Sequence, residues 1–222
     1  MIDPFQDAFG VALLDYPEGK EVPELALEVD GGEAGPAMHP EWFFRSFEQW
    51  DWWDREILPL VQDGPVLDLG AGAGRAGLCL QERGLQVTAV EASPGPAEVC
   101  RRRGIADVRL GDLNDPPTDQ PGAAVLLCGN LGLGGSWEGN RRLLARLAEL
   151  VTAGAVLVGD SVTPDDQARV LLRIRYRELV TPWWSQYNIP AAQMAALVEG
   201  TGWRMQMHLD DGDDHAVRLR RT

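Results

Sequence analysis

The stretch Pro65-Val66-Leu67-Asp68-Leu69-Gly70-Ala71-Gly72-Ala73-Gly74-Arg75 constrains this chain more than any other. A short apolar run passes directly into three alternating glycines, and a helical pattern follows. Glycine adopts left-handed backbone angles without penalty and puts no Cβ between the main chain and a ligand. The start of the helix then presents free N–H groups to whatever lies above the strand. The stretch therefore reads as a strand–turn–helix unit with a polar ligand at the strand's carboxyl end.

The chain repeats this unit. Short apolar runs at Pro65–Leu69, Gln86–Val90, Asp107–Leu110, Ala123–Cys128 and Ala155–Gly159 alternate with helical patterns over about 74–83, 96–103 and 139–151, and Gly84 and Gly104 stop two of the helices. Continuously apolar strands joined by helices form a parallel sheet covered on both faces. Val170–Arg177 alternates at period two, as a half-exposed strand does. A helix is expected over about 190–200, with Pro190 at its start and Gly200 at its end. Strands Trp203–Leu209 and His215–Arg220 follow, joined by the Asp-Gly turn at Asp210–Asp214. The expected fold is α/β: a doubly wound, mostly parallel sheet of about seven strands with an antiparallel C-terminal hairpin.

Residues 1–62 lack this alternation. They hold a loop of glycine and acid, Glu28–Glu33, and then an aromatic segment in which Trp42, Phe43, Phe44, Phe47, Trp50, Trp53, Ile57 and Leu58 recur at helical steps before Pro59 and Gly64. The reading is an N-terminal helical cap or lid, 1–62, on a ligand-binding domain, 63–222.

Charge limits the partners. The net charge of −14 repels phosphate backbones, and the arginines at 101–103 and 169–177 read as solvated faces, so a small-molecule substrate is expected and nucleic acid is not. No apolar run reaches the roughly 18 residues of a membrane span. Acidic Asp3 and Asp7 stand where a secretory leader would be basic, so a cytoplasmic protein is expected. Cys79, Cys100 and Cys128 show no metal-ligand spacing and read as buried free thiols. No metal is expected, and oligomeric state leaves no trace in the sequence.

Three acids at successive strand ends sharpen the ligand. Gly72–Gly77 also matches the G-x-G-x-x-G of dinucleotide sites, which keeps an NAD-type oxidoreductase open. Asp68, however, stands two residues before the first glycine, where it would repel a pyrophosphate but attract a sulfonium or ammonium group such as those of S-adenosylmethionine. Glu91 ends the next strand, 21 residues after Gly70, where a carboxylate can accept both ribose hydroxyls. Asp112 follows the third strand and can accept from an adenine amino group, with the Leu113 backbone beside it.

Asp68-x-Gly70-x-Gly72-x-Gly74, Glu91 and Gly111-Asp112 resemble, in order and spacing, the first three motifs of class I S-adenosylmethionine-dependent methyltransferases. The terminal hairpin resembles the antiparallel finish of that family's Rossmann-like sheet, and the likeness covers about residues 60–220. The whole chain looks like an uncharacterised bacterial subgroup of it. The resemblance implies methyl transfer from S-adenosylmethionine. It places the cofactor on Asp68, Gly70, Ala71, Gly72, Gly74, Glu91, Ala92, Ser93, Asp112 and Leu113, with Gly129 and Asn130 from the fourth strand's loop. The Asn/Asp-Pro-Pro-Tyr motif of amino methyltransferases of nucleic acids is absent. A non-catalytic cofactor-binding protein stays open, because no catalytic base stands out. Asn130, His39 and Tyr176 are the candidates, with Asp160 as a comparable one whose plainer reading is the cap of the following turn. His208 and His215 are expected at the surface. Phe43, Phe44, Trp183 and Trp184 are candidates for lining an aromatic acceptor pocket, against the plainer reading as core packing.

Overall fold

The computed structural model describes residues 3, 6–30, 34–116, 120–163 and 168–222. In chain order the elements are α1 (Ala8–Asp15), β1 (Leu25–Val29), β2 (Ala34–Met38), α2 (Trp52–Ile57), β3 (Val66–Leu69), α3 (Arg75–Glu82), β4 (Val87–Glu91), α4 (Pro94–Arg103), β5 (Asp107–Leu110), β6 (Ala123–Leu126), α5 (Trp137–Leu150), β7 (Val156–Val162), β8 (Arg169–Tyr176), β9 (Leu179–Val180), β10 (Trp184–Tyr187), α6 (Met194–Val198), β11 (Trp203–Asp210) and β12 (Asp214–Arg221).

Seven strands form the main sheet in the order β11-β12-β7-β6-β3-β4-β5. The five central and edge strands from β7 to β5 are parallel, and β12 and β11 finish the sheet antiparallel. The expected doubly wound α/β sheet with its C-terminal hairpin stands. Period-two alternation decides which helix each residue meets. Leu67, Leu69, Ala124, Leu126 and Leu157 face α5 and α6, whereas Val66, Val87, Ala123, Val125 and Val158 face α2 and α3. Both faces are apolar, as a sheet buried on both sides requires.

The first sixty residues build more than helices. The aromatic segment predicted as one helix is broken into 3-10 turns at Pro40–Phe44 and Phe47–Gln49, then α2, then a 3-10 turn at Leu58–Leu60. Ser46 and Asp51 adopt extended backbone between these pieces, so each short piece aims its own aromatics at the body. Similarly, the helix expected over 190–200 is a 3-10 turn at Ala191–Gln193 followed by α6.

A second, wholly antiparallel sheet runs β10-β8-β1-β2, with β9 paired to β8. The period-two strand at 169–176 thus joins the N-terminal strands and not the main sheet. Its inner face carries Ile174, Tyr176, Leu25, Leu27 and Trp184, packed with Ala8 and Ala12 of α1. Its outer face carries Arg173 and Arg175, both bonded to Glu28. Of the glycine-acid loop read at Glu28–Glu33, residues 31–33 lie outside the described residues.

Candidate active site

The glycine turn has the backbone its sequence demands. Gly70, Gly72 and Gly74 all take positive φ, at 70°, 59° and 78°. A Cβ on Gly70 would stand 2.5 Å from Asn130 Nδ2, so this glycine is required for packing as well as for angle. A Cβ on Gly72 would have only Phe43 within 4 Å, at 3.8 Å, so Gly72 borders open space.

Asp68 is buried below this turn, and its Oδ2 accepts the N–H of Gly77 at 3.0 Å. It therefore caps the first turn of α3 from beneath, a duty its sequence position did not reveal. Glu91 is buried at the end of β4 and accepts the N–H of Gly72. Burial pushes Asp68 up to about 7 and Glu91 up to about 8, and for Glu91 the charges of Asp68 and Asp7 push the same way. Ala92 is half-buried, and Ser93 is buried with an Oγ that has no hydrogen-bond partner among the described residues. Asp112 is exposed past β5 and accepts the N–H of Asn114 at 2.9 Å, while Leu113 packs on the main core. Ala71 is buried against Ala89, Cys100 and Ile105.

The fourth loop turns back onto the glycine turn. Asn130 Nδ2 donates to the carbonyls of Leu69 and Gly70 at 2.9 and 3.0 Å, which pins β6's exit to β3's exit. Gly129 N–H donates to both oxygens of Asp160 at 3.1 Å, and Gln186 of β10 donates to the Gly129 carbonyl at 2.6 Å. The second sheet is thereby tied over the carboxyl edge of the first.

Beside this loop lies a recess that the sequence did not disclose. Arg75, the residue after the glycine turn, donates from Nη2 to Asp54 Oδ2 at 2.7 Å and to Cys128 Sγ at 2.9 Å, and stacks on Trp50 at 4.6 Å. Asp54 is 1 % exposed. Burial raises its carboxyl to about 6 against the pull of Arg75, and raises that of Asp160 well above its usual range, with the Asp54 charge adding to it. Cys128 is not the buried thiol expected from its apolar neighbours. β6 ends two residues earlier, and at φ 63° the chain turns the side chain into solvent reach, deep among protein atoms that push its thiol up to about 12. Asp160 was anticipated as a candidate at a strand end; Asp54, Arg75 and Cys128 were not, because only tertiary packing assembles them.

Other candidates stand elsewhere. His39 caps the 3-10 turn at Pro40–Phe44, accepting Glu41 N–H at 3.2 Å, and rests edge-on against Tyr16. Tyr176 is buried and donates to Asp15 at 3.1 Å, at the far end of α1. Neither points into the recess. His215 is buried, not on the surface, because β12 lies between β7 and β11; its ring meets His208 at 3.1 Å and the Ile189 carbonyl at 2.7 Å. Of the four aromatic candidates, Phe43 shares one packing cluster with Trp184 and another with Phe44, and Trp183 stands apart. Phe43 stands by Gly72, and Trp184 is on the inner face of the second sheet. Phe44 packs with Leu13, Ala73 and Val99. Trp183, one residue before Trp184, faces the opposite way, 42 % exposed beneath Arg173.

Asp7 is a residue that pattern reading missed. Its Oδ1 accepts the N–H of Gly10, and its Oδ2 that of Gly95 at 2.7 Å. One buried carboxylate so caps α1 and α4 together, with α1 seated beside Glu91's strand end.

No family model matches the chain. An uncharacterized methyltransferase of Staphylococcus carnosus is 36 % identical over 64 residues, 29 % of this chain and 31 % of that protein. The match therefore spans about a third of that relative's length. The crystal structure of an S-adenosylmethionine-dependent methyltransferase from Bacteroides fragilis, in complex with S-adenosyl-L-homocysteine, superposes with a TM-score of 0.89 at 22 % identity, over 100 % of this chain and 98 % of that one. An O-methyltransferase from neocarzinostatin biosynthesis, bound to S-adenosyl-L-homocysteine and 1,4-dihydroxy-2-naphthoic acid, superposes at 0.54 with 18 % identity, over 79 % of this chain and 52 % of that one. The chain has the Rossmann-like fold of the S-adenosylmethionine-dependent methyltransferases, and the first of these likenesses runs its full length.

Proposed function

We propose that the chain binds S-adenosylmethionine and transfers its methyl group to a small-molecule acceptor. The observation that carries this reading is the junction of Glu91, Gly72 and Ser93: a buried carboxylate bonded to the N–H of a positive-φ glycine that borders open space, and, two residues on, a buried hydroxyl without a partner among the described residues. A nucleoside's hydroxyls would complete that set, and the junction fits the cofactor for this reason. Glu91 would accept from the ribose, with Ala92 and Ser93 beside it. Asp112 would take the adenine amino group, with the Leu113 backbone at the ring. The turn Gly70–Ala71–Gly72–Gly74, with Gly129 and Asn130, would lie along the amino-acid part, and Asp68 would hold the turn's shape.

When bound, the cofactor supplies a methyl group on a good leaving group, so the protein's part is chiefly alignment and exclusion of water. Asn130 fixes the two strand exits, and Gln186 holds the second sheet over them. The inner face of that sheet, with Trp184, and Phe43 at the turn supply apolar walls for the acceptor. The bound naphthoic acid of the neocarzinostatin enzyme supports an acceptor of small-molecule size. The charge of −14 disfavours nucleic acid, and no helix of the described residues is long and apolar enough to cross a membrane. A cytoplasmic location accords with these features.

Calorimetry with S-adenosyl-L-homocysteine and with NADH tests the donor. Binding of the first and not the second is expected, and Glu91→Ala should weaken it at least tenfold. NADH binding alone would return the dinucleotide reading. Turnover of a labelled methyl group across an acceptor panel separates an enzyme from a binding protein.

A further inference from the structure

The recess of Arg75, Asp54, Asp160 and Cys128 has a charge pattern that selects a class of acceptor. Arg75 is the residue immediately after the glycine turn, Cys128 and Gly129 follow β6, and Asp160 lies on β7 beside them. The recess therefore adjoins the methionine end of the proposed cofactor site. Its one cation, Arg75, is already engaged by Asp54 and by Cys128. Two carboxyls face that one guanidinium, and Asp51 and Asp214 add negative potential behind Asp54. Asp54 is 1 % exposed, and its Oδ1 has no hydrogen-bond partner among the described residues. Burying such an atom is unfavourable unless a donor reaches it. Asp160 accepts the Gly129 N–H and its own backbone N–H and no side-chain donor among the partners described, so its carboxyl keeps accepting capacity. Cys128 is open to solvent, which gives the recess a mouth.

A merely structural Arg–Asp tie between α2 and α3 would need one carboxylate. It would not need a second acid, an unmet oxygen and an accessible floor. We propose that this recess is the acceptor's head-group subsite and that it takes a cationic amine, held by Asp160 with Asp54 behind it. The proposal rests on the methyl-transfer reading above. A donor-rich cation satisfies the excess acceptors, whereas an acceptor carrying a carboxylate adds charge of the sign already in surplus. The inner face of the second sheet, through Trp184, gives the apolar wall for the rest of the molecule.

Benzylamine and benzoate, of like size and opposite charge, test this by calorimetry on protein saturated with S-adenosyl-L-homocysteine. Benzylamine should bind at least tenfold more tightly than benzoate. Asp160→Asn, which keeps an oxygen for the Gly129 N–H, should weaken benzylamine about tenfold and leave S-adenosyl-L-homocysteine affinity within twofold. Asp54→Asn should weaken benzylamine as well. Equal or tighter binding of benzoate, no binding of either, or unchanged benzylamine affinity in Asp160→Asn each overturns the proposal. Failure of the wild-type chain to bind S-adenosyl-L-homocysteine sinks the donor reading instead, so the two failures are told apart.

Discussion

Carboxyl groups govern how this molecule responds to pH, and they fall into two sets. Asp54, Asp68 and Glu91 are buried and raised to about 6, 7 and 8. The folded state holds their protons more tightly than the unfolded chain, so their stabilising effect is full below about pH 4 and is lost as pH rises toward 8. Asp15 is lowered by hydrogen bonds to Lys20 and Tyr176 that outweigh its burial, and Glu28 by those to Arg175 and Arg173; their contribution is present above about pH 4 and lost in acid. The windows adjoin, so the ligand-free protein should be most stable near pH 5 and lose thermal stability toward pH 8. Glu91→Gln should flatten the upper slope in a series of melting curves; an unchanged slope would remove Glu91 from the account. The same residue couples to ligand. If ribose hydroxyls favour its ionised form, binding near pH 7 releases up to about one proton. Calorimetry of S-adenosyl-L-homocysteine in buffers of different ionisation enthalpy reads that number directly. Gly70→Ala makes a steric case in the same turn. The new methyl meets Asn130 at a left-handed backbone position, and a loss of about 2 kcal/mol in urea denaturation is expected.

Between elements, Asp7 is the most economical joint. One side chain satisfies the N-termini of α1 and α4, and α1 rests so close to α4 that a Cβ on Gly95 would run into Gly10. Losing two caps costs about 2 kcal/mol at roughly 1 kcal/mol each. Asp7→Ala should show that loss, together with faster amide exchange in α1, whereas Asp7→Asn, with one acceptor oxygen, should lose about half. The sequence made α4 legible, but neither α1 nor this joint. Alternating apolar runs and glycine stops disclosed the main strands and α3 to α5, because those signals are local. The aromatic run before β3 misled in the opposite way. Its residues recur at helical steps, yet Ser46 and Asp51 break the backbone, and side-chain spacing carries no trace of such breaks.

Across the whole molecule the same division holds. The main sheet and the three strand-end acids could be read from order and spacing. The second sheet could not, since its central pairing joins Ala26 to Arg175, and nothing in either segment names the other. The recess was hidden for a like reason: Asp54, Arg75, Cys128 and Asp160 come from four separate segments. Strand alternation in the second sheet also sorts the paired tryptophans. Trp184→Ala, on the inner face, should cost about 2–3 kcal/mol in thermal or urea melts. Trp183→Ala, on the outer face, should cost less than about 1 kcal/mol. Equal losses would contradict the placement of the two faces.

The second sheet has a consequence for how such a chain diversifies. Its strands bond to one another and to none of the seven strands below, and they come from segments that flank the β3-to-β7 alternation. Substitutions, or even changes of loop length, in residues 25–38 and 169–187 leave every hydrogen bond of the main sheet in place. A lineage carrying this architecture is free to reshape the apolar wall by editing the canopy alone, while the strand-end acids of the main sheet and the Arg75 recess are inherited unchanged.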